Sequence, residues 1–169
     1  YHFSQLGSFG DASASLFNIT LMVAGCMVVA FAMYIGRDLQ LAVDQGILTR
    51  TKTPRTVATL FVVMGVMLAG VGAVPVPVSE PLHIAFASGM FAVFIGMLIA
   101  ARWLFDGLPS TVHIVTWIFL AAIAVTVVLF WPIGYFNLPA LELVAFGLIF
   151  GWIVVFIRFE SAARESARA

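Results

Sequence analysis

Charge is what this sequence has least of. Eight basic and eight acidic side chains make up only 9% of its 169 residues, against 63% apolar. A soluble domain is about one quarter charged. Charge this sparse cannot cover a water-facing surface, so most of the surface must face lipid. The net charge is zero, which gives no electrostatic pull toward nucleic acid. The single cysteine, Cys26, excludes an internal disulfide and a cysteine-rich metal site. Set among apolar residues, it reads as a small packing residue. There is no glycine-rich phosphate loop after a strand, no nucleophile elbow, no CxxCH haem motif and no HExxH. No cofactor is implied, and the length fits one domain over residues 1–169.

Long apolar runs are what the chain does have. Crossing the hydrocarbon core takes about 20 apolar residues as a helix. Five stretches meet that need: 16–36, 57–76, 82–104, 112–131 and 138–159. None holds a charge in its middle third, and each is apolar all round, as suits a helix in lipid. The short alternating strands of a β-barrel are missing. The sequence therefore predicts an all-α transmembrane bundle.

The breaks carry turn chemistry. Thr53-Pro54, Ser79-Glu80-Pro81, Pro109-Ser110-Thr111 and Asn137-Leu138-Pro139 each pair a capping side chain with a proline near the first helical turn. Pro75 and Pro77 end the second helix in an extended turn. In the longest loop, 37–55, Leu39, Val43 and Ile47 recur every four residues. That spacing predicts a short helix lying on the membrane surface, with Gly46 against it.

Every Lys and Arg falls on one side once the spans alternate. Arg37, Arg50, Lys52 and Arg55 are in the first loop, Arg102 is in the third, and Arg158, Arg164 and Arg168 close the chain. The positive-inside rule makes that side cytoplasmic. The N-terminus and the turns at 75–81 and 132–139 are then outside, in a multi-pass protein of the cell's inner (plasma) membrane. Trp103 and Trp131 fall near opposite interfaces, whereas Trp117 and Trp152 lie deeper, where packing between helices is expected.

A weak repeat runs through the chain. PRTV at Pro54 returns as PSTV at Pro109, and Pro81 is answered by Pro139. Two helical hairpins of the same orientation are parallel repeats. The first helix has no partner before it, and the chain opens at Tyr1 rather than methionine. A preceding helix, six in all, is the expectation.

The opening FSQLG followed by LFNITLMVAG, and the segment GVGAVPVPVSEPLH, carry a family resemblance. They resemble the second-helix start and the outer turn of a bacterial family of six-helix membrane proteins of unknown function, grouped with the eukaryotic Frag, DRAM and Sfk proteins. The resemblance would cover nearly the whole chain. It implies no agreed activity, but the eukaryotic relatives are associated with membrane lipids. It makes His83 the position carried over from the motif, and the first helix of the family pattern is absent here.

The acids divide by side. Asp38, Asp44, Asp106, Glu160 and Glu165 sit among cytoplasmic basic residues and read as their solvated partners, each pair worth little. Asp11, Glu80 and Glu142 lie outside, where there is no Lys or Arg. Glu80 and His83 are three apart at one helix start, hence on one face. Glu142 holds the matching place in the second repeat, and Asn18 the outer end of the first helix. These can converge with His2, Ser4 and Asp11.

Four readings stand open for this cluster: a zinc or manganese site, acid/base chemistry on a lipid headgroup by His83 and a carboxylate, a recognition pocket for a headgroup or partner, or acids that simply favour helix N-termini. The leading expectation is a non-catalytic protein binding lipid or other membrane subunits through its outer face, such as an accessory subunit, with neither metal nor nucleic acid. An outer-face lipid enzyme is the alternative. A transporter would want an ionisable group at mid-membrane, and none is visible.

Small residues at Gly65, Ala69 and Ala73, at Ala85, Gly89 and Gly96, and at Gly147 and Gly151 read as close helix contacts. His113 reads as an interfacial residue apart from the other histidines.

The orientation is open to test by labelling intact cells with a membrane-impermeant thiol reagent. A cysteine placed directly after Pro77 is expected to react and one at Thr51 is not; the reverse pattern would invert the assigned topology.

Overall fold

The computed structural model describes residues 6–8 and 12–168. Its regular elements are the helices α1 (Ala12–Asp44), α2 (Thr53–Ala73), α3 (Glu80–Leu104), α4 (Ser110–Phe130) and α5 (Leu138–Arg168), with a 3-10 turn ahead of α1. There is no strand among the described residues. All five helices are long and apolar enough to cross a membrane. The chain is an all-α, multi-pass membrane protein.

Two helices outrun the expected spans. α1 has 33 residues and α5 has 31. An apolar window stops near the first charges, but Gln40, Leu41 and Ala42 remain good helix formers, so the helix does not. The stretch read as a separate surface helix is therefore the last turns of α1, and Leu39 within it is fully buried. Gly46, with φ of 73°, is what ends the helix. The Ile47 N–H donates to the Ala42 carbonyl and the Gly46 N–H to the Val43 carbonyl, both at 2.9 Å. This is a Schellman cap, which needs a left-handed residue where only glycine is unstrained.

The expected caps hold in part. Asn137 Oδ1 accepts the Ala140 N–H at 3.0 Å, a true N-cap for α5. α4 starts at Pro109 with no side-chain cap bond. Thr53 is buried and gives its hydroxyl to the Leu104 carbonyl, 2.9 Å away, rather than to its own helix.

The chain divides into two compact units, residues 1–38 with 54–97, and residues 39–53 with 98–169. In the first unit α2 lies between α1 and α3. A Cβ on Gly25 of α1 would come within 2.5 Å of the Gly65 carbonyl oxygen and the Ala69 amide nitrogen of α2. Backbone touches backbone here, which small residues alone permit. Gly36 meets Ala58 and Gly72 meets Asn18, so α1 and α2 run antiparallel. Gly70 faces Phe86 and Gly89 faces Met67, which sets α3 antiparallel on the other side of α2. Phe61, Met64, Leu68, Met90 and Phe94 fill this core.

In the second unit α4 and α5 pack against each other. The Trp152 indole N–H donates to the Thr116 hydroxyl at 3.1 Å, and Gly151 faces the Phe119 ring. Trp152 stacks on Phe156 with centroids 5.1 Å apart, and Phe156 meets Phe105 at 4.5 Å.

Several packing expectations need correction. Trp152 is buried, but Trp117 is 61% exposed and faces outward. Cys26 and Ala73 are exposed rather than packed, and nothing stands near Gly96 or Gly147. Four-residue spacing marks a face without saying which face is covered.

These contacts separate the glycines by role. Gly25→Ala is expected to cost about 1–3 kcal/mol by overpacking. Gly147→Ala should be neutral or slightly stabilising, because it adds helix propensity in open space. Thermal unfolding of both variants in detergent tests the pair, and equal losses would contradict the placement of Gly25.

Candidate functional site

The α2–α3 turn is built around His83. Only 6% of this residue is exposed, and its Nδ1 lies 2.9 Å from the Val74 carbonyl oxygen just past the end of α2. An Nδ1–H there donates to a carbonyl that has lost its helical partner, so the ring closes the hairpin. Its own N–H donates to the Ser79 carbonyl at 3.0 Å. Pro75, Val78 and Ser79 tighten the turn between them, with the Val78 N–H on the Pro75 carbonyl. Glu80, the first residue of α3, is exposed. A carboxylate suits a helix N-terminus, where unpaired N–H groups gather.

The other expected site residues are placed as follows. Asn18 is half-buried and its amide donates to the Gly7 carbonyl at 3.1 Å, tying the 3-10 turn onto α1. Glu142 is half-buried in the second turn of α5, in the second unit, and is already engaged by a neighbour. His2, Ser4 and Asp11 lie outside the described residues. Among the described residues, no three His, Cys, Asp or Glu side chains are arranged to hold a metal ion.

The tightest polar corner is one that sequence reasoning read as mere surface. In the second unit Asp106 receives the Thr49 hydroxyl, and the Thr49 N–H at 3.4 Å. The Arg50 guanidinium stands 3.7 Å away. Gly107 lies directly against the Ile47 carbonyl, where no side chain would fit. The loop after α1 is thus clasped onto the corner between α3 and α4. The hydrogen bond from the Thr49 side chain holds the Asp106 carboxyl below its ordinary range, aided by the Thr49 N–H and Arg50 and opposed by partial burial.

Glu160 is the second surprise. It was expected to be solvated, but it is only 1% exposed and has an interaction partner. The signal was present in the sequence: Trp152, Phe156 and Glu160 recur every four residues, so the buried face of α5 carries the carboxylate inward.

Asp106 gives a pH test of the corner. Its pKa is lowered in the folded state, so its contribution is complete above the unfolded value of about 4 and is lost as pH falls through the folded value. Asp106→Asn is expected to lower the unfolding temperature by a few degrees at pH 7. The difference should shrink progressively as pH falls below about 4 and close once it is under the folded value, and one that does not shrink would refute the assignment.

No curated protein and no solved structure matches the chain. A family profile does match, over residues 1–158, and it takes in all five helices except the end of α5. The chain belongs to this family, described as proteins of unknown function (DUF998).

Proposed function

We propose that this protein is a non-catalytic, multi-pass protein of the inner (plasma) membrane that binds lipid or a partner protein through its outer face. It would have its N-terminus outside and its C-terminus in the cytoplasm, serve as an accessory subunit of a membrane complex, and be related to the Frag, DRAM and Sfk group. The observation that carries this reading is the state of His83. The ring is buried and its Nδ1 is engaged on the Val74 carbonyl. A ring held this way joins the start of α3 to the end of α2. A histidine that closes a hairpin fixes the shape of a surface. Around it Pro77, Val78, Pro81 and Leu82 are exposed, and Glu80 stands among them as an accessible acceptor. An apolar rim with a few placed polar groups suits recognition at a membrane interface. By alternation of the spans, Glu142 belongs to the same side.

The alternative, an outer-face enzyme acting on a lipid headgroup, draws on Glu80 and His83 lying three residues apart on one helix face. Native mass spectrometry of protein released from membranes in mild detergent separates the two. A bound lipid or subunit is expected on the wild-type protein, reduced several-fold by Glu80→Gln with Glu142→Gln, while the unfolding temperature is kept. A bare mass, together with headgroup turnover that His83→Ala abolishes, would overturn the proposal in favour of the enzyme.

A further inference from the structure

The second unit contains a crevice that the outer-face reading does not use. The last turns of α3 and the first turns of α4 enclose it, with Ile99, Arg102, His113, Thr116 and Trp117 in its lining. It is a shallow crevice, about 10 Å³ in its enclosed part, and it is open to the outside.

Three features of its lining are chemical. Arg102 is exposed and has no ion pair among the described residues. Both ring nitrogens of His113 are covered from water without a hydrogen bond. The Phe105 backbone comes near the ring but short of ordinary hydrogen-bond geometry. Thr116, by contrast, is already engaged, donating to the Val112 carbonyl and accepting the Trp152 indole N–H. A buried donor without a partner lowers stability, so the missing partner of His113 is a real deficit.

Around these polar groups the rim is apolar. Ile99 and Trp117, which line it, are exposed, and so are Trp103 and Ile114, the chain neighbours of Arg102 and His113. Tryptophan at the end of a spanning helix sits at headgroup depth. An arginine and an imidazole sharing a crevice that opens through apolar side chains at that depth call for an anion with hydrocarbon attached.

We propose that this crevice binds the phosphate of an anionic glycerophospholipid. Arg102 meets the phosphate oxygens with its planar guanidinium, which offers two parallel N–H donors and is the commonest protein fork for such an anion. His113 supplies a further N–H by turning its ring toward the mouth; a neutral imidazole already has one to give. Trp117 and Ile99 lie along the upper acyl chains. The lipid comes from the leaflet on the side where every Lys and Arg of this chain falls, and anionic headgroups are attracted to basic residues there.

Brominated lipids test this directly, because bromine quenches a tryptophan it touches. The protein carries Trp103→Phe and Trp131→Phe, which leaves Trp117 as the exposed reporter and Trp152 buried. It is reconstituted in vesicles mixing brominated phosphatidylglycerol or brominated phosphatidylcholine with unlabelled phosphatidylcholine. Brominated phosphatidylglycerol is expected to quench several-fold more effectively at equal fraction. Arg102→Gln should abolish that preference and Arg102→Lys should keep part of it, with the unfolding temperature unchanged in both. Inorganic phosphate at millimolar concentration should not compete. Equal quenching by the two lipids, or a preference that survives Arg102→Gln, would overturn the proposal. Competition by inorganic phosphate would overturn the lipid assignment in favour of a free anion. Glu80 and Glu142 take no part, so a failure here leaves the outer-face reading standing.

Discussion

A backbone in hydrocarbon has no water to bond to, and each span of this chain must therefore close its own hydrogen bonds as a helix. The polar side chains within the spans obey the same constraint. The hydroxyls of Thr20, Thr59, Ser88, Thr116 and Thr126 each donate to the carbonyl four residues earlier in their own helix. No water or neighbouring helix is needed to satisfy them. With the hydrogen bonds settled locally, contact between helices is left to shape. That is why Gly25, Gly65 and Ala69 matter: lipid is as apolar as leucine, so helices gain by approaching closely rather than by hiding apolar surface.

The all-helical architecture was legible because it follows from that constraint and from composition alone. The boundaries were less so. Hydropathy stops at a charge, whereas a helix stops at a cap, and the cap of α1 is Gly46 rather than Arg37. Burial was the hardest to read. Trp117 and Trp152 look alike in sequence, yet one is exposed and the other buried. In lipid both faces of a helix are apolar, so the pattern that marks the inside of a soluble protein carries no such mark here. The small residues fared the same way: Gly65 and Gly147 have similar surroundings in sequence, but only Gly65 has a neighbour.

The candidate site was legible as a set of unusual residues and illegible as a geometry. His83 stood out by type and position, and it is indeed buried in the turn the spacing marked. Its partner, a backbone carbonyl at Val74, has no sequence signature. Asp106 looked like any loop acid until the loop after α1 folded over it, and that fold depends on Gly107 leaving room for the Ile47 carbonyl. Glu160 was hidden by its neighbours in sequence, the basic residues that made it look solvated. Its helical register with Trp152 and Phe156 was the better guide.

What separates function from architecture in such a chain is whether a polar group is already occupied. Asn18 holds the Gly7 carbonyl, Thr53 the Leu104 carbonyl, His83 the Val74 carbonyl, and Asp106 the Thr49 side chain and backbone. Each joins two segments that no run of apolar residues would align, and each is used up in doing so. Arg102 has no ion pair among the described residues and His113 no hydrogen bond. A buried polar group without a partner lowers stability, so the presence of His113 calls for a compensating ligand or a compensating use. The occupied groups set the shape of the turns. The unoccupied ones, where they share a crevice, are where a molecule from outside the chain gains the most by binding.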